Sequence, residues 1–259
     1  MFRRRVALAA LLLVALGPPV LHTDTAAASS DANGGCFANS ATGVAYVQIC
    51  VSGHGNISSF TGGNTEFFPS TSYRGEGYAL CSDAGNTVHG WDAGDNESAW
   101  GNTTQDSGPV ITRYTSDGLL RLKQSYAFDL TNGAVTITME LKNVGNASLP
   151  KVMISRYALP TLPPATQLST GGAGETGAAV FLWTPGITGL KLDATQRKTS
   201  HDVHLESNQG WNEGPRSQAG CLANTTNREA LPLVERVNYN LGTLAAGDKK
   251  TVTFRYERL

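Results

Sequence analysis

The chain has 259 residues, of which 40% are hydrophobic and 16% are charged, and its formal net charge is −1. This length allows one large domain or two small ones with a sizeable core. The near balance of charge argues against a nucleic-acid-binding protein, which would show a basic stripe. The sequence also lacks a heptad pattern and an internal repeat of solenoid length. We therefore expect a globular protein that has no nucleic-acid partner.

The first 28 residues have the pattern of a secretory signal peptide. Arg3 to Arg5 precede an apolar run of roughly 11 residues, and Ala26 to Ala28 provide the small side chains of a cleavage site. The run is too short to cross a bilayer, which takes about 20 residues. The arginines also loosely resemble a twin-arginine export signal. With arginine in excess over lysine, the sequence predicts a secreted, extracellular bacterial protein that has no membrane anchor.

Residues 29–35 are expected to form a flexible leader, and residues 36–259 are expected to form the folded domain. Four cysteines lie in this domain, and an even number indicates disulfides in an exported chain. No two cysteines have the close spacing of a zinc site. Three pairings are possible. The short separation of Cys36 and Cys50 favours a bridged hairpin, which leaves Cys81 to pair with Cys221 across any boundary between two domains.

The segment from His89 to Trp100 has the residues of a binding site. Its carboxylates lie on a glycine-bearing loop, and calcium takes six to eight oxygen ligands from short acidic loops. Indole rings that flank such a loop stack well on the apolar faces of sugars. Two interpretations stay open: a calcium-supported loop that binds a glycan, and an ordinary acidic turn whose tryptophans belong to the core. The candidate metal ligands are Asp92, Asp95 and Glu97, and the candidate glycan contacts are Trp91 and Trp100.

The clearest strand pattern lies between Leu119 and Asn143, where apolar and polar residues alternate in two runs separated by the turn Asn132-Gly133. Such alternation predicts a hairpin of two strands that are buried on one face. The predicted inward residues are Leu120, Leu122, Gln124, Tyr126 and Phe128 in the first strand, and Val135, Ile137, Met139 and Leu141 in the second.

Similar patterns predict further strands along the chain, and no window after the leader has a helical period. Many strands without helices between them indicate an all-β fold, an antiparallel β-sandwich. The long disulfide and the lack of a linker favour a single large domain over two small ones. The predicted strands are Val44 to Val51, Val152 to Leu159, Ala179 to Trp183, Val234 to Leu241 and Thr251 to Glu257, and the third is apolar on both faces, as in a central strand.

Two runs of sequence, VTITMELKNVGNASLP and LGTLAAGDKKTVTFRY, contain the turn patterns N-x-G-N and L-x-x-G-D. Together they resemble the signatures of extracellular bacterial immunoglobulin-like sandwich modules of the cell-adhesion-related type. The resemblance covers about 40 residues of the chain. It implies a sandwich fold and indicates no functional residue.

A second candidate site lies near position 200. On a strand, His201 and His204 point to opposite faces, so they cannot bind one metal ion together. Asp202, His204 and Glu206 share a face and are the candidate catalytic residues for acid/base chemistry, or ligands of a metal. The alternative is that these side chains are simply solvated. The loop that follows them contains Trp211, a third candidate glycan contact.

Two functional hypotheses remain from the sequence. The first is an extracellular module that binds a polysaccharide or another extracellular protein through its tryptophan-bearing loops, with calcium as the candidate cofactor. The second is a secreted glycan-active hydrolase or lyase on a β-sandwich, with acid/base chemistry from Asp202, His204 and Glu206 or from a carboxylate pair that includes Glu140. Sequence spacing gives no distance between carboxylates on separate strands, so the two hypotheses stay open.

Overall fold

The computed structural model describes residues 29–31, 34–39, 46–63, 65–68, 76–93, 96–98, 100–106, 109–158, 167–171, 179–184, 187–194, 201–207, 221 and 233–258. The expected signal peptide and Trp211 lie outside these residues. The described residues form nineteen strands, one short 3-10 helix and no α-helix. The strands are β1 (Ser29–Asp31), β2 (Gly34–Ala38), β3 (Val47–Ser52), β4 (Ile57–Gly62), β5 (Thr65–Glu66), β6 (Glu76–Ser82), β7 (Thr87–Ala93), β8 (Asn96–Ser98), β9 (Trp100–Asp106), β10 (Val110–Thr115), β11 (Leu120–Asp129), β12 (Ala134–Asn143), β13 (Leu149–Ala158), β14 (Gln167–Gly171), β15 (Ala179–Thr184), β16 (Ile187–Ala194), β17 (His201–Ser207), β18 (Leu233–Leu244) and β19 (Lys249–Arg258), and the 3-10 helix η1 is Asp83–Gly85.

The described strands form three antiparallel sheets. The first, which we call the N-terminal sheet, has the order β1-β2-β3-β4-β5. The eight-stranded sheet has the order β14-β15-β16-β19-β12-β11-β10-β9, and the six-stranded sheet has the order β17-β18-β13-β6-β7-β8. These pairings confirm the predicted all-β antiparallel class. The segment predicted to be a central strand, Ala179 to Trp183, lies in β15 between two neighbours in the eight-stranded sheet.

The predicted hairpin is confirmed as β11 and β12, which pair in unbroken register from Leu120 and Asn143 to Asp129 and Ala134. Gly133 has a φ of 62°, a conformation that a residue with a Cβ rarely adopts, and it lies in the turn between the two strands. The predicted inward side chains of both strands are buried, except that Phe128 is partly exposed. Alternation therefore places one apolar face of the hairpin in the core and one polar face outside.

The core contains buried side chains from all three sheets in one contiguous cluster. The six- and eight-stranded sheets pack face to face, since the ring of Tyr239 on β18 meets Phe254 on β19 edge to face at 5.1 Å between centroids. The N-terminal sheet packs on the same core, where Phe37 stacks on Phe128 of β11 at 4.0 Å. Aromatic contacts thus join all three layers of the sandwich.

Both predicted disulfides are present. Cys36 on β2 and Cys50 on β3 are register partners and form the first bridge. Cys81 on β6 pairs with Cys221, at a sequence separation of 140 residues, and the second bridge lies in a small buried cluster with Trp91. Two disulfides are typical of proteins that fold in an oxidising compartment.

The described residues contain no helix that is long and apolar enough to span a membrane.

The sequence predicts a flexible leader for residues 29–35, whereas the structure places Ser29–Asp31 and Gly34–Ala38 in the paired strands β1 and β2. Backbone hydrogen bonding to β2, which is itself joined to β3 by a disulfide, explains the difference.

Candidate functional site

The predicted tryptophan loop is largely built into the fold. Trp91 on β7 is 6% exposed and packs in the cluster around the Cys81–Cys221 bridge. Trp100 is partly buried, and its indole Nε1 donates a hydrogen bond to the carbonyl oxygen of Trp91 at 2.7 Å. The guanidinium of Arg113 lies over the Trp100 ring at 4.3 Å. The two indoles therefore contact protein groups in this structure.

Asp92 is fully buried between the sheets. Its Oδ2 lies 2.6 Å from the Nη1 of Arg113 and 3.2 Å from the Nδ1 of His54, and its Oδ1 accepts a hydrogen bond from the side-chain amide of Asn56. Both carboxylate oxygens thus have protein partners. Asp95 and the side chain of Glu97 lie outside the described residues, and no group of three potential metal ligands occurs within those residues. Calcium binding by this loop stays a prediction.

The predicted catalytic strip lies on an outer strand of the six-stranded sheet. Asp202, His204 and Glu206 belong to β17, which pairs with β18 and occupies the end of the described strand order. Their backbone positions agree with a strand in which alternate residues share a face. Their side chains lie outside the described part of the structure, so their catalytic role stays a prediction.

A second buried ion pair, formed by Glu76 and Arg156, lies beside the pair of Asp92 and Arg113. The guanidinium of Arg156 on β13 donates to Glu76 on β6 at 3.0 Å, and the hydroxyl of Tyr256 donates to the same carboxylate at 2.9 Å. Burial raises the pKa of Glu76 to about 7, although Arg156 and the hydrogen bonds lower it. Glu76 and Arg156 are each completely buried, so these charges support the fold and are not available to a ligand.

The N-terminal sheet completes the hydrogen bonding of these buried groups. The turn between β3 and β4 offers the carbonyl oxygen of Gly55 to the hydroxyl of Tyr126 at 2.6 Å and to Arg156 at 3.1 Å. The amide of Ile57 donates to Glu76 at 2.7 Å. Backbone groups of one sheet therefore satisfy side chains of the other two, as buried polar groups require.

An open polar groove with a volume of about 540 Å³ lies on the outer face of the eight-stranded sheet. Leu122 and Leu141 face the core, so Arg121, Lys123 and Glu140, their neighbours along the strands, face outward. The adjacent strands β10 and β19 add the other side chains of the groove. Four neighbouring strands, β10, β11, β12 and β19, thus form its floor.

Glu140 lies at the centre of the charged groups in the groove. Its two oxygens contact the guanidinium of Arg121 at 2.6 Å and the ammonium of Lys249 at 3.0 Å. The hydrogen bond from Lys249 is the largest influence that lowers the pKa of Glu140 below its usual value, and the charge of Arg121 adds to it. Glu140 is the only carboxylate among the described lining residues, so they contain no carboxylate pair for acid/base catalysis.

The remaining lining of the groove suits a hydroxylated ligand. The side chain of Tyr114 on β10 is 37% exposed, which leaves part of an aromatic face open to solvent. Tyrosine combines an apolar ring with a polar hydroxyl, and both can contact a sugar. Hydroxyl donors and acceptors come from Thr112, Ser125, Thr138 and Thr251.

A chain of three polar side chains lies near the edge of the six-stranded sheet. Ser82 Oγ is 2.8 Å from His89 Nε2, and His89 Nδ1 is 2.6 Å from Asp117 Oδ2. Partial burial raises the pKa of Asp117, but the hydrogen bonds that it accepts from His89, Thr115 and the amide of Leu119 lower the pKa by more. The pKa of Asp117 therefore lies below its ordinary value. Ser82 and His89 are 4% and 3% exposed. The order of atoms is that of a serine hydrolase triad.

Backbone irregularities surround this chain. Leu80 pairs with Gly90 and Cys81 pairs with Val88, so His89 is the extra residue of a β-bulge. Bulges redirect side chains and occur often beside active sites. Directly after Ser82, Asp83 and Ala84 have positive φ values of 52° and 55°, which are strained for residues with a Cβ.

The sequence pattern predicts part of the groove and gives no sign of the chain Ser82-His89-Asp117. The hairpin pattern placed Arg121, Lys123 and Glu140 on one outward face, but it gave no sign that Tyr114 and Lys249 lie beside them. The triad-like chain joins residues 28 positions apart, from His89 to Asp117. The local signal that was available is the Ser82-Asp83 turn between two strands, which by itself indicates no chemistry.

Comparison with known proteins gives structural similarity only. No family model matches the chain, and no curated protein matches it in sequence. A polysaccharide lyase shares 14% sequence identity with it at a TM-score of 0.48, over 89% of this chain and 33% of the lyase chain. A candidate kojibiose phosphorylase from the human microbiome shares 10% identity at a TM-score of 0.39, over 86% of this chain and 25% of the other. The chain thus spans a third and a quarter of the lengths of these two proteins.

Proposed function

We propose that the protein binds a glycan outside the cell, in the groove on the eight-stranded sheet. The observation that carries the proposal is the lining of the groove, which combines hydroxyl groups, charged groups and the exposed ring of Tyr114. Sugars offer many hydroxyls for hydrogen bonds and apolar faces for stacking, so such a lining matches them on both counts. The volume of about 540 Å³ also lies in the range of small-ligand sites.

The two disulfides support an extracellular location for this binding, because such bridges persist in oxidising compartments. Another extracellular protein is the alternative occupant of the groove. The groove favours a glycan because its floor is polar, whereas the centre of a protein interface is depleted in charged residues.

Replacement of Tyr114 by alanine tests the proposal. We expect the variant to lose up to about tenfold in affinity for any glycan that the purified protein binds, since stacking on one aromatic ring contributes about 1.4 kcal/mol or less. The matched control is Tyr46→Ala, because Tyr46 is 46% exposed and lies beside the N-terminal sheet. Equal losses in the two variants would contradict binding in the groove, as would the absence of binding across a polysaccharide array.

One observation favours a second candidate function, the hydrolysis of an ester on an acylated glycan. Ser82, His89 and Asp117 have the order and distances of a nucleophile, a base and an orienting carboxylate. In such a reaction Ser82 Oγ attacks the ester carbonyl carbon while its proton moves to His89 Nε2. The proton then passes to the leaving alcohol, and water releases the acid by the same steps. Because Ser82 is 4% exposed, the groups that cover it must move before a substrate reaches Oγ.

Labelling with a fluorophosphonate tests this second function. The probe modifies only a serine that an adjacent base activates. We expect one equivalent of probe on the protein and none on the Ser82→Ala variant. A His89→Gln variant should react far more slowly. If the unmodified protein does not react with the probe while a control esterase does, Ser82, His89 and Asp117 form a structural hydrogen-bonded chain and this function is excluded.

A further inference from the structure

We infer that the glycan bound in the groove is polyanionic and carries carboxylate or sulfate groups. This inference rests on the proposed glycan binding and specifies its ligand. Arg121 pairs with Lys142 across β11 and β12, and Lys142 pairs with Lys249 across β12 and β19. Directly opposite residues of antiparallel strands lie on the same face, so three cations form one row on the outer face.

Such a row is unfavourable unless negative charge lies nearby. Like charges directly opposite each other on adjacent strands destabilise a sheet. Glu140 contacts two members of the row, Arg121 and Lys249, but it supplies only one negative charge to both. Lys142 does not line the groove itself, but Lys123 does, so the described lining residues contain three cations, Arg121, Lys123 and Lys249, and one carboxylate, which leaves a formal excess of two positive charges. An anionic ligand would neutralise this excess.

One cation in the groove is open to such a ligand. Lys123 is exposed, and its ammonium forms no ion pair or hydrogen bond within the described residues. A carboxylate or sulfate could accept a hydrogen bond from this ammonium without breaking the contacts of Glu140, and charge-assisted bonds of this kind are the stronger ones.

The positive charge of the groove is local. The whole chain has a formal net charge of −1, so polyanions experience no general attraction to the protein. Attraction at short range therefore comes from the groove, where Tyr114 is the register partner of Arg121 and shares the lining with Lys123. Stacking on Tyr114 selects a sugar, and the cations select the charge on it. Together they distinguish an anionic glycan from a simple anion and from a neutral glycan.

The experiment compares three polymers with one backbone: dextran, carboxymethyl dextran and dextran sulfate. We expect the purified protein to bind one or both charged forms at least tenfold more tightly than dextran, and the affinity to fall as the salt concentration rises. Preference between the two charged forms identifies carboxylate or sulfate as the group that is recognised. Polygalacturonate and a neutral plant glycan extend the same comparison to natural polymers.

Three variants locate the binding. Lys123→Gln removes a cation that has no ion pair among the described residues, and we expect about a two- to fivefold loss of affinity, as for an exposed charge pair. The matched control is Lys151→Gln, which removes the same charge from an exposed position on β13 and should leave the affinity unchanged. Glu140→Gln should strengthen binding, because it raises the positive excess of the groove.

The possible failures are distinguishable. Equal binding of neutral and charged polymers, with the loss on Tyr114→Ala retained, would keep the proposed glycan binding and overturn the anionic class. Equal losses in Lys123→Gln and Lys151→Gln would show that charged polymers bind by the total charge of the protein, which overturns the inference. Absence of binding to every polymer would overturn both the inference and the glycan-binding function.

Discussion

Replacement of Asp92 by alanine removes the carboxylate that lies 2.6 Å from Arg113 in the interior of the sandwich. The side chains of Asp92 and Arg113 are 0% and 1% exposed, so the variant leaves a guanidinium buried without its counter-charge. Loss of one partner of a buried ion pair costs about 3–5 kcal/mol. The hydroxyl of Tyr78 still accepts from Arg113 at 2.8 Å, and the ring of Trp100 still covers it, so we expect the lower part of that range.

Urea unfolding followed by tryptophan fluorescence measures this loss, since Trp91 and Trp100 lie beside the pair. The double variant Asp92→Ala with Arg113→Met serves as the control, because it removes the unpaired charge together with its partner. We expect it to be more stable than Asp92→Ala alone. A loss below about 1 kcal/mol in the single variant, or additive losses in the double variant, would refute the assignment of the pair to the fold.

The same experiment separates the two interpretations of the tryptophan loop. If Asp92 binds calcium, the unmodified protein gains stability when calcium is added, and the Asp92→Ala variant does not. If Asp92 acts only as the partner of Arg113, calcium and a chelator leave the unfolding midpoint of both proteins unchanged.

Three further outcomes follow from the buried groups. The pKa of Glu76 is raised from 4.5 to about 7, so the folded chain holds more protons than the unfolded chain between these two pH values. The free energy of unfolding should therefore fall by about 3 kcal/mol as the pH rises from 4.5 to about 7. Glu76→Gln should flatten this slope when urea unfolding is measured at a series of pH values. Removal of the Cys81–Cys221 bridge by a double alanine substitution opens a 140-residue loop and should lower the free energy of unfolding by about 5 kcal/mol, whereas a loss below about 1 kcal/mol would contradict the loop-entropy argument. A Cβ at Gly77 would lie 2.1 Å from a backbone oxygen, so Gly77→Ala should cost about 3 kcal/mol or more, compared with about 1–2 kcal/mol for Gly242→Ala, where φ is +68° and the space is open. Equal melting temperatures for the two glycine variants would argue against the packing at Gly77.

Local patterns in the sequence predicted the parts of the fold that depend on local order. The hairpin of β11 and β12 follows from strict alternation, and the disulfides follow from the count and spacing of the cysteines. Arg113 and Arg156 illustrate what local order does not contain. A charged residue in a strand is expected to face solvent. These two can be buried because Asp92 and Glu76 neutralise their charges. The partners are 21 and 80 residues away in the chain, so the local pattern does not show the pairing.

The groove was predictable from local alternation only where it lies on the hairpin of β11 and β12. Alternation placed Arg121 and Glu140 on the outer face, and their cross-strand neighbours within the hairpin were therefore known. Lys249 reaches Glu140 only because β19 pairs with β12, at a sequence separation of 109 residues. The two sequence runs that resemble sandwich modules also meet in space, where the side chain of Asn143 donates to the carbonyl oxygen of Leu244 at 2.9 Å. Sequence spacing carries no information about either contact.

The position of β19 has a consequence for the way the protein is made. This strand lies between β12 and β16 in the eight-stranded sheet, so it is an inner strand, although it follows every other described strand in the chain. Until the ribosome has synthesised Lys249–Arg258, β12 and β16 have no common partner. Contacts of such long sequence separation also slow folding. The middle of the eight-stranded sheet is therefore completed only after Lys249–Arg258 has been synthesised, whereas the hairpin of β11 and β12 can pair earlier.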